Sequence, residues 1–269
     1  MGTKEIRDDK QKMSIHPTAI IHQKAELDSG VEVGPYSVIG EDVKIAKGTN
    51  VGPHVVIEGH ASIGENCSIY QFASIGTPPQ DIRFAGEKTE VVIGKDCTIR
   101  EFVTVNRGTS HGSGRTLLKD RIFLMAYAHV AHDCIIGNDV IMSNAATLAG
   151  HIEIEDFAII GGLVAVHQFV KIGAYSMIGG ASAVSHDVPP YVTAVGNRAT
   201  LYGLNSIGLK RHGFSAEDIG LLKKAYRIIF RSELPLKKAI DKVKGEVGSS
   251  QYIDHLLEFI KGSTRGICR

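Results

Sequence analysis

"VEVGPYSVIGEDVKIAKGTNVGPHVVI", residues 31–57, carries a branched aliphatic residue at every sixth position, beginning with Val33 and Ile39. The same spacing, with an aliphatic residue at each sixth position, runs without a break from Ile15 to Ile75. Glycine often follows the aliphatic residue, where a turn needs backbone freedom or a close approach of two chains. A strict period of six fits neither an α-helix nor a simple alternating strand.

The hexad pattern lapses twice, at residues 77–91 and in the Gly-rich segment 107–116, and then runs from Leu118 to Val184. Such a repeat predicts a parallel β-helix whose aliphatic residues face inward. Three hexads would form one triangular coil, and neighbouring coils would lie about 4.8 Å apart. A β-sandwich would instead show turn signals at irregular spacing of roughly 8–12 residues. The two lapses are then loops expelled from the coil, a common location for functional residues.

The composition changes after the stretch HDVPPY, residues 186–191. Ser215 and Asp218 resemble a capping box that begins an amphipathic helix, and helical patterns follow near 235–246 and 250–261. The sequence therefore predicts a mainly β protein in three parts. These are a polar N-terminal extension (1–13), a parallel β-helix (14–190) and a small α-helical C-terminal domain (191–269).

Charge and composition exclude several classes of protein. With 30 Lys and Arg against 29 Asp and Glu, the net charge is only +1, so we expect no nucleic-acid binding. No segment has the roughly 18 consecutive apolar residues of a membrane span, and the polar start is unlike a signal peptide, so we expect a cytoplasmic protein. The four cysteines form no CxxC pair, which favours reduced thiols over a zinc finger.

Histidines gather in the second half of the repeat, where "AHVAHDCIIGND" covers residues 128–139. Steps of three hexads place His132, Gly150 and Gln168 in one outward-facing column, with His151 and His167 beside it. Three interpretations compete. The histidines could be solvated surface residues, they could bind zinc with an activated water, or His132 could act as a general base.

The general-base interpretation uses the neighbours of His132 in sequence and space. Asp133 would orient the imidazole and stabilise its protonated form. Gly150 would bring a backbone N–H close to a developing oxyanion. His129 and His132 occupy the sixth and third positions of consecutive hexads, so they need not converge on one metal ion.

Six motifs resemble the UDP-N-acetylglucosamine O-acyltransferase family over roughly residues 14–269. They are HVAHD (129–133), NAATLAGH (144–151), AVHQF (165–169), DVPPYV (187–192), GLKRHGFS (208–215) and STRG (263–266). The resemblance implies a homotrimer of left-handed β-helices with active sites between subunits. It also implies transfer of a 3-hydroxyacyl chain from acyl carrier protein to the glucosamine 3-hydroxyl of UDP-N-acetylglucosamine, the first step of lipid A biosynthesis. No metal and no cofactor is implied beyond the phosphopantetheine that the carrier protein brings.

The resemblance also implies roles for individual residues. His132 corresponds to the general base, Asp133 to its partner and Gly150 to the oxyanion donor. Nine further positions match substrate-binding residues: Gln80, Asp81, Arg83, His129, His151, His167, Gln168, Asn205 and Arg211. Three positions match the acyl-chain groove: Met177, Gly180 and Arg198.

Two of these positions depart from the family. Arg83 stands where a lysine is usual, and the planar guanidinium is not equivalent to a point charge. Arg198 stands where a histidine is common. Gly180 leaves space in the groove and predicts a longer acyl chain, although it also fits an ordinary hexad turn, as Met177 fits a surface filler and Arg211 a solvated charge.

Two other functions remain open at this stage. Some relatives acylate a 3-amino sugar and form an amide, and no residue in the sequence distinguishes that acceptor. A zinc-dependent hydratase of the hexapeptide-repeat class would need stoichiometric metal. A purely structural solenoid would need neither the histidine cluster nor the 77–91 loop.

Overall fold

The computed structural model describes residues 13–269, so all but the last residue of the predicted N-terminal extension lies outside the described part. Most strands are two residues long, and there is nearly one in every hexad. Their bounds are β1 Ser14–Ile15, β2 Ile20–Ile21, β3 Glu26–Leu27, β4 Glu32–Val33, β5 Val38–Ile39, β6 Lys44–Ile45, β7 Asn50–Val51, β8 Val56–Ile57, β9 His60–Ile63, β10 Ser68–Ile69, β11 Ser74–Thr77, β12 Glu90–Ile93, β13 Thr98–Ile99, β14 Thr104–Asn106, β15 Arg115–Leu118, β16 Phe123–Leu124, β17 His129–Val130, β18 Ile135–Ile136, β19 Ile141–Met142, β20 Thr147–Leu148, β21 Glu153–Ile154, β22 Ile159–Ile160, β23 Ala165–Val166, β24 Lys171–Ile172, β25 Met177–Ile178, β26 Ala183–Val184, β27 Val192–Val195 and β28 Thr200–Leu204.

Every third strand belongs to the same sheet, so the chain winds through three sheets in turn. Within the repeat the pairing is parallel and joins residues one coil apart, as where Ile141 pairs with Ile159 and Ile159 with Met177. From Val33 onward the aliphatic residues that define the hexad are buried, among them Ile39 and Met142, whereas Ile15 in the first coil is exposed. These observations confirm the parallel β-helix.

The chain leaves the coil at the two lapses of the pattern, between β11 and β12 and between β14 and β15. The coil nevertheless continues across both loops, because Glu90 of β12 pairs with His60 on one side and Arg115 on the other. The loops therefore add chain at one side of the solenoid without interrupting its stacking.

Glycine at the second hexad position is explained by close approach of the coils. A Cβ on Gly34 would lie 2.7 Å from the backbone of Gly52, and one on Gly64 would lie 2.5 Å from that of Gly94. The left-handed backbone conformation occurs two positions later, at the corners, where Tyr127 has φ 64°. Most corner residues with this conformation are not glycine, although Gly30 and Gly48 occupy two of the corners.

Two further strands and four helices follow the last coil. Strand β27 pairs in parallel with β25, and β28 turns back antiparallel to β27. The helices are α1 Ser206–Arg211, α2 Ala216–Phe230, α3 Leu236–Glu246 and α4 Gln251–Gly262. The sequence patterns correctly located α2, α3 and α4, and the Ser215 hydroxyl caps α2 by accepting from the Asp218 N–H at 3.0 Å. They missed α1 and the two strands.

The helices share a second apolar core built around Leu222, Ile229, Ile253 and Leu256. None of the helices in residues 13–269 combines the length and apolar character that crossing a membrane requires. All four cysteines are free and buried, and Cys67, Cys97 and Cys134 pack in the core of the coil as small apolar residues.

Candidate active site

His132 and Asp133 form a hydrogen-bonded pair on the turn between β17 and β18. The Nδ1 atom of His132 lies 2.8 Å from Oδ2 of Asp133. A carboxylate can only accept, so Nδ1 carries the proton and Nε2 keeps its lone pair. The His132 side chain is 13% exposed, whereas that of Asp133 is 1% exposed. The pair therefore presents one basic nitrogen toward solvent and buries its carboxylate.

The buried Asp133 remains ionised because its oxygens accept several hydrogen bonds. Burial alone would raise the pKa of this carboxyl, but donors from His132, Thr109 and Ser113 outweigh it and hold the pKa well below its usual range. Asp133 is thus a permanent negative charge beside the imidazole near neutral pH. It can stabilise the imidazolium that forms when His132 takes up a proton.

Gly150 lies one coil beyond His132 and directly against its ring. A Cβ at this position would lie 2.5 Å from Cε1 and 2.7 Å from Nε2 of His132. The coil does not need a backbone N–H at the third hexad position, because proline, which has none, occupies that position at Pro35 and Pro53. The Gly150 N–H makes no hydrogen bond within residues 13–269 and is free for a ligand.

Two further histidines lie near His132, and one of them contacts its ring. His151 meets that ring edge-on, with centroids 5.0 Å apart, and stacks on Phe169 at 4.6 Å. His129 is hydrogen-bonded through Nδ1 to the Thr104 hydroxyl at 2.7 Å. Burial is the main cause that lowers the pKa of both His129 and His151. In both residues the shift favours the neutral imidazole.

The geometry allows a partial metal site. Ligand atoms of His132, Asp133 and His151 lie within 4.8 Å of one another. His167, which the zinc interpretation would require, is exposed and is not part of this cluster. Both oxygens of Asp133 already accept hydrogen bonds from the protein. A metal at this carboxylate would have to displace those donors, so the donor set favours the hydrogen-bonded pair.

The two expelled loops meet beside this pair. Arg83 donates to both oxygens of Asp81, at 3.1 Å from Nε and 2.7 Å from Nη2. His111, from the second loop, places Nε2 3.1 Å from the same carboxylate. The Arg83 hydrogen bonds, with His111 contributing less, hold the pKa of Asp81 well below its usual range. The loops are thereby linked through a charged cluster.

Comparison with known proteins places these features in a family. A family model described as bacterial transferase hexapeptide (six repeats) matches residues 24–59, and one described as UDP N-acetylglucosamine O-acyltransferase, domain 2, matches residues 187–268. The acyl-[acyl-carrier-protein]–UDP-N-acetylglucosamine O-acyltransferase of Thermodesulfovibrio yellowstonii is 60% identical over 255 residues, covering 95% of this chain and 99% of the relative. The chain belongs to this acyltransferase family.

Solved structures agree with this membership. LpxA from Acinetobacter baumannii superposes with a TM-score of 0.92 at 44% identity, over 95% of this chain and 99% of that one. The UDP-N-acetylglucosamine O-acyltransferase of Moraxella catarrhalis gives 0.91 at 41% identity, with the same coverage of both chains. The predicted family, the acyltransferase class and the left-handed parallel β-helix with a helical C-terminal domain are confirmed.

In this UDP-N-acetylglucosamine O-acyltransferase family member, five of the nine predicted substrate-binding residues are exposed on the surface. Gln80 and Arg83 are exposed on the first loop, and His167 and Gln168 are exposed one coil beyond Gly150. Arg211 is exposed in the last turn of α1. Their assignment to substrate stays a prediction.

Asn205 has a structural task that the sequence did not reveal. Its Oδ1 accepts from the Gly208 N–H at 3.1 Å and caps α1, and its Nδ2 donates to the Tyr175 carbonyl at 2.9 Å. Both ends of this amide are therefore engaged within the chain. A contact with substrate would use only its remaining hydrogen-bonding capacity.

Of the predicted acyl-groove residues, Met177 and Gly180 lie on the last coils and Arg198 lies in the turn between β27 and β28. Met177 is 40% exposed on β25. A Cβ on Gly180 would lie 3.3 Å from the Gly162 carbonyl oxygen, so this surface position tolerates little bulk. Arg198 lines a cavity of about 500 Å³ together with His167, His186 and Arg265. Within residues 13–269, no hydrogen bond, ion pair or ring contact joins these groups to His132.

The sequence analysis missed the groups that hold Asp133 and His129. Thr109 and Ser113 contact the Asp133 carboxylate, Thr104 contacts His129, and Phe169 stacks on His151. Thr104 and Phe169 could have been found, because each lies one coil from its partner in the repeat. Thr109 and Ser113 lie in an expelled loop, which has no register to place them.

Proposed function

We propose that this chain transfers a 3-hydroxyacyl chain from acyl carrier protein to the 3-hydroxyl of the glucosamine in UDP-N-acetylglucosamine, the first step of lipid A biosynthesis. The observation that carries the proposal is the 2.8 Å bond from His132 to Asp133, which leaves Nε2 as a base beside Gly150. Support also comes from the relatives' shared name, since the one at 60% identity acts on this carrier and this sugar.

The reaction follows from the positions of these three residues. Nε2 of His132 removes the proton of the sugar 3-hydroxyl as that oxygen attacks the thioester carbonyl carbon and a C–O bond forms. The oxyanion of the tetrahedral intermediate accepts a hydrogen bond from the Gly150 N–H. The C–S bond then breaks, and the departing thiolate of the carrier's phosphopantetheine takes the proton from His132. Asp133 stabilises the transient imidazolium, and no metal or resident cofactor takes part.

We further propose a homotrimer whose active sites lie between subunits. Within one chain no hydrogen bond or ion pair joins Arg198, Asn205 or Arg211 to His132, although the family resemblance matches Asn205 and Arg211 to substrate-binding residues and Arg198 to the acyl-chain groove. A neighbouring subunit would supply those that one chain cannot bring together. Gly180 and Met177 would then border an acyl groove with room for a longer 3-hydroxyacyl chain.

The test is an acyl-transfer assay with purified full-length protein, 3-hydroxyacyl carrier protein and either UDP-N-acetylglucosamine or the corresponding 3-amino sugar. We expect an ester product with the first acceptor, undiminished by a chelator. The variant His132→Ala should lose activity by about 10²–10⁴-fold, whereas His16→Ala, an exposed histidine of the first coil, should not.

Three results would contradict the proposal in different ways. Product with the amino sugar alone would change the acceptor and the bond formed. Loss of activity with chelator, restored by zinc, would favour a metal mechanism. Full activity of His132→Ala would show that His132 is not the general base.

A further inference from the structure

The second expelled loop, residues 107–114, packs directly on the carboxylate of Asp133. The Thr109 hydroxyl donates to Oδ2 at 2.6 Å, and the Thr109 N–H lies 3.2 and 3.1 Å from the two oxygens. The Ser113 hydroxyl shares its one proton between Oδ1, at 3.1 Å, and the Arg115 carbonyl, at 2.8 Å. A Cβ on Gly112 would lie 2.4 Å from the carboxyl carbon, so the loop backbone itself closes over the group.

These donors determine which lone pair faces the imidazole. Oδ2 accepts from the Thr109 hydroxyl, from Nδ1 of His132 and, at 3.1 Å, from the Thr109 N–H. Ser113 holds the opposite oxygen. Rotation of the carboxylate about its Cβ–Cγ bond would break bonds at both oxygens. The loop thus fixes the orientation of the Asp133 carboxylate, and Oδ2 of that carboxylate fixes the orientation of the His132 ring.

The loop is itself anchored on its outer side. The Ser110 hydroxyl donates to Oε1 of Glu87 at 2.8 Å, and His111 contacts Asp81 at 3.1 Å. Both partners belong to the first expelled loop. The two loops therefore brace one another, and the Thr109 hydroxyl is held against a carboxylate that is almost completely buried.

We propose that Thr109 and Ser113 are positioning residues for the base: their hydroxyl groups hold the Asp133 carboxylate so that His132 keeps its proton on Nδ1 and its lone pair on Nε2. The catalytic consequence rests on the proposed function. The ring tautomer does not, because it can be measured without any substrate.

The activity test compares Thr109→Val, which removes the hydroxyl but keeps the shape, with Thr109→Ser, which retains the donor. We expect kcat to fall about tenfold in Thr109→Val, the size of one charge-assisted hydrogen bond, with KM for the UDP-sugar nearly unchanged. Thr109→Ser should remain within about twofold of wild type, and Ser113→Ala should show an intermediate loss because its bond is longer.

Thr116→Val is the matched control. The Thr116 hydroxyl accepts a hydrogen bond from the backbone N–H of Asp133 at 2.9 Å and makes no hydrogen bond with the Asp133 carboxylate. This variant removes a buried hydroxyl group beside Asp133 and should lower thermal stability. It should leave the tautomer of His132 unchanged, which separates positioning from general support of the fold.

The tautomer is read by ¹⁵N NMR of histidine-labelled protein, with the His132 signals assigned by their loss in His132→Ala. We expect a single Nδ1–H tautomer in the wild type, Thr109→Ser and Thr116→Val, and a mixture of tautomers in the double variant Thr109→Val/Ser113→Ala. A single Nδ1–H tautomer in the double variant, or equal kcat in Thr109→Val and wild type, would overturn the inference. A wild type with the Nδ1–H tautomer but no acyl transfer would refute the proposed function and leave this inference supported.

Discussion

Replacement of Gly150 by alanine should displace the His132 ring. The new Cβ would lie 2.5 Å from Cε1, 2.7 Å from Nε2 and 3.0 Å from Nδ1. Carbon atoms in contact prefer a separation of about 3.5–4.0 Å, so the ring must retreat by about 1 Å. That movement would stretch the 2.8 Å bond to Asp133 beyond hydrogen-bonding range.

The expected loss of kcat in Gly150→Ala can be estimated in two ways. Misplacing a reacting group by about 1 Å can lower the rate about 10²-fold. Loss of a charge-assisted hydrogen bond costs about 1.5–3 kcal/mol, which is roughly 10- to 150-fold in rate at 1.36 kcal/mol per tenfold. We therefore expect kcat of Gly150→Ala to fall about 100-fold, with a small change in KM for the UDP-sugar.

The substitution isolates the ring's position from other effects. Gly150 is not among the residues with positive φ, so alanine meets no backbone strain there. Alanine also retains the N–H that would donate to the oxyanion. Gly220→Ala, at an exposed site in α2 where a Cβ meets nothing within 4 Å, is the control and should keep full activity.

The assay is steady-state acyl transfer, repeated in the His132→Ala background. With the base removed, the Gly150→Ala change should cause little further loss, because residues in contact are not additive. Gly150→Ala with kcat within about threefold of wild type would refute the reasoning, since it would show that the ring has room to move without consequence.

Two further predictions concern the pH dependence of stability. Asp133 has a depressed pKa, so its stabilising effect should be complete above the unfolded-state value of about 3.9 and be lost as the pH falls below it. In chemical denaturation, the difference in unfolding free energy between wild type and Asp133→Asn should be constant from pH 5 to 8 and shrink in more acidic solution. A difference that grows with acid would contradict this. The hydrogen bond that His255 donates to Glu155 raises the pKa of His255, so that pair should stabilise most below the unfolded value of about 6.5 and less as the pH rises through the folded value. Thermal unfolding should show a larger loss of stability for His255→Gln at pH 5.5 than at pH 9, and equal losses would contradict this.

Periodic features of this molecule were predictable, because each coil repeats the geometry of the previous one. The hexads fixed which residues face inward, and a step of three hexads correctly placed Gly150 against His132. The same step links Thr104 with His129 across the second loop only after the inserted residues are set aside. Prediction therefore works along the columns and weakens wherever residues are inserted between coils.

Elements outside the repeat were harder to predict for local reasons. Helix α1 is only six residues long and contains Gly208, so its helical pattern is weak, although Asn205 is a recognisable N-cap. Strand β28 pairs antiparallel to β27, and the hexad pattern does not predict this reversal of chain direction. The bonds from Thr109 and Ser113 depend on how a Gly-rich loop folds back, which follows from tertiary contacts and not from composition.

The corner conformation explains why neighbours in sequence can form the catalytic pair. In a regular strand, His132 and Asp133 would point to opposite faces and could not share a hydrogen bond in this way. Asp133 instead lies at a corner with φ 60°, a conformation that aspartate tolerates better than most residues. His151 repeats the corner one coil later, with φ 61°, which brings it beside the same ring. A His-Asp dipeptide in this fold is therefore expected to pair when it spans the third and fourth hexad positions, and an identical dipeptide within a strand is not.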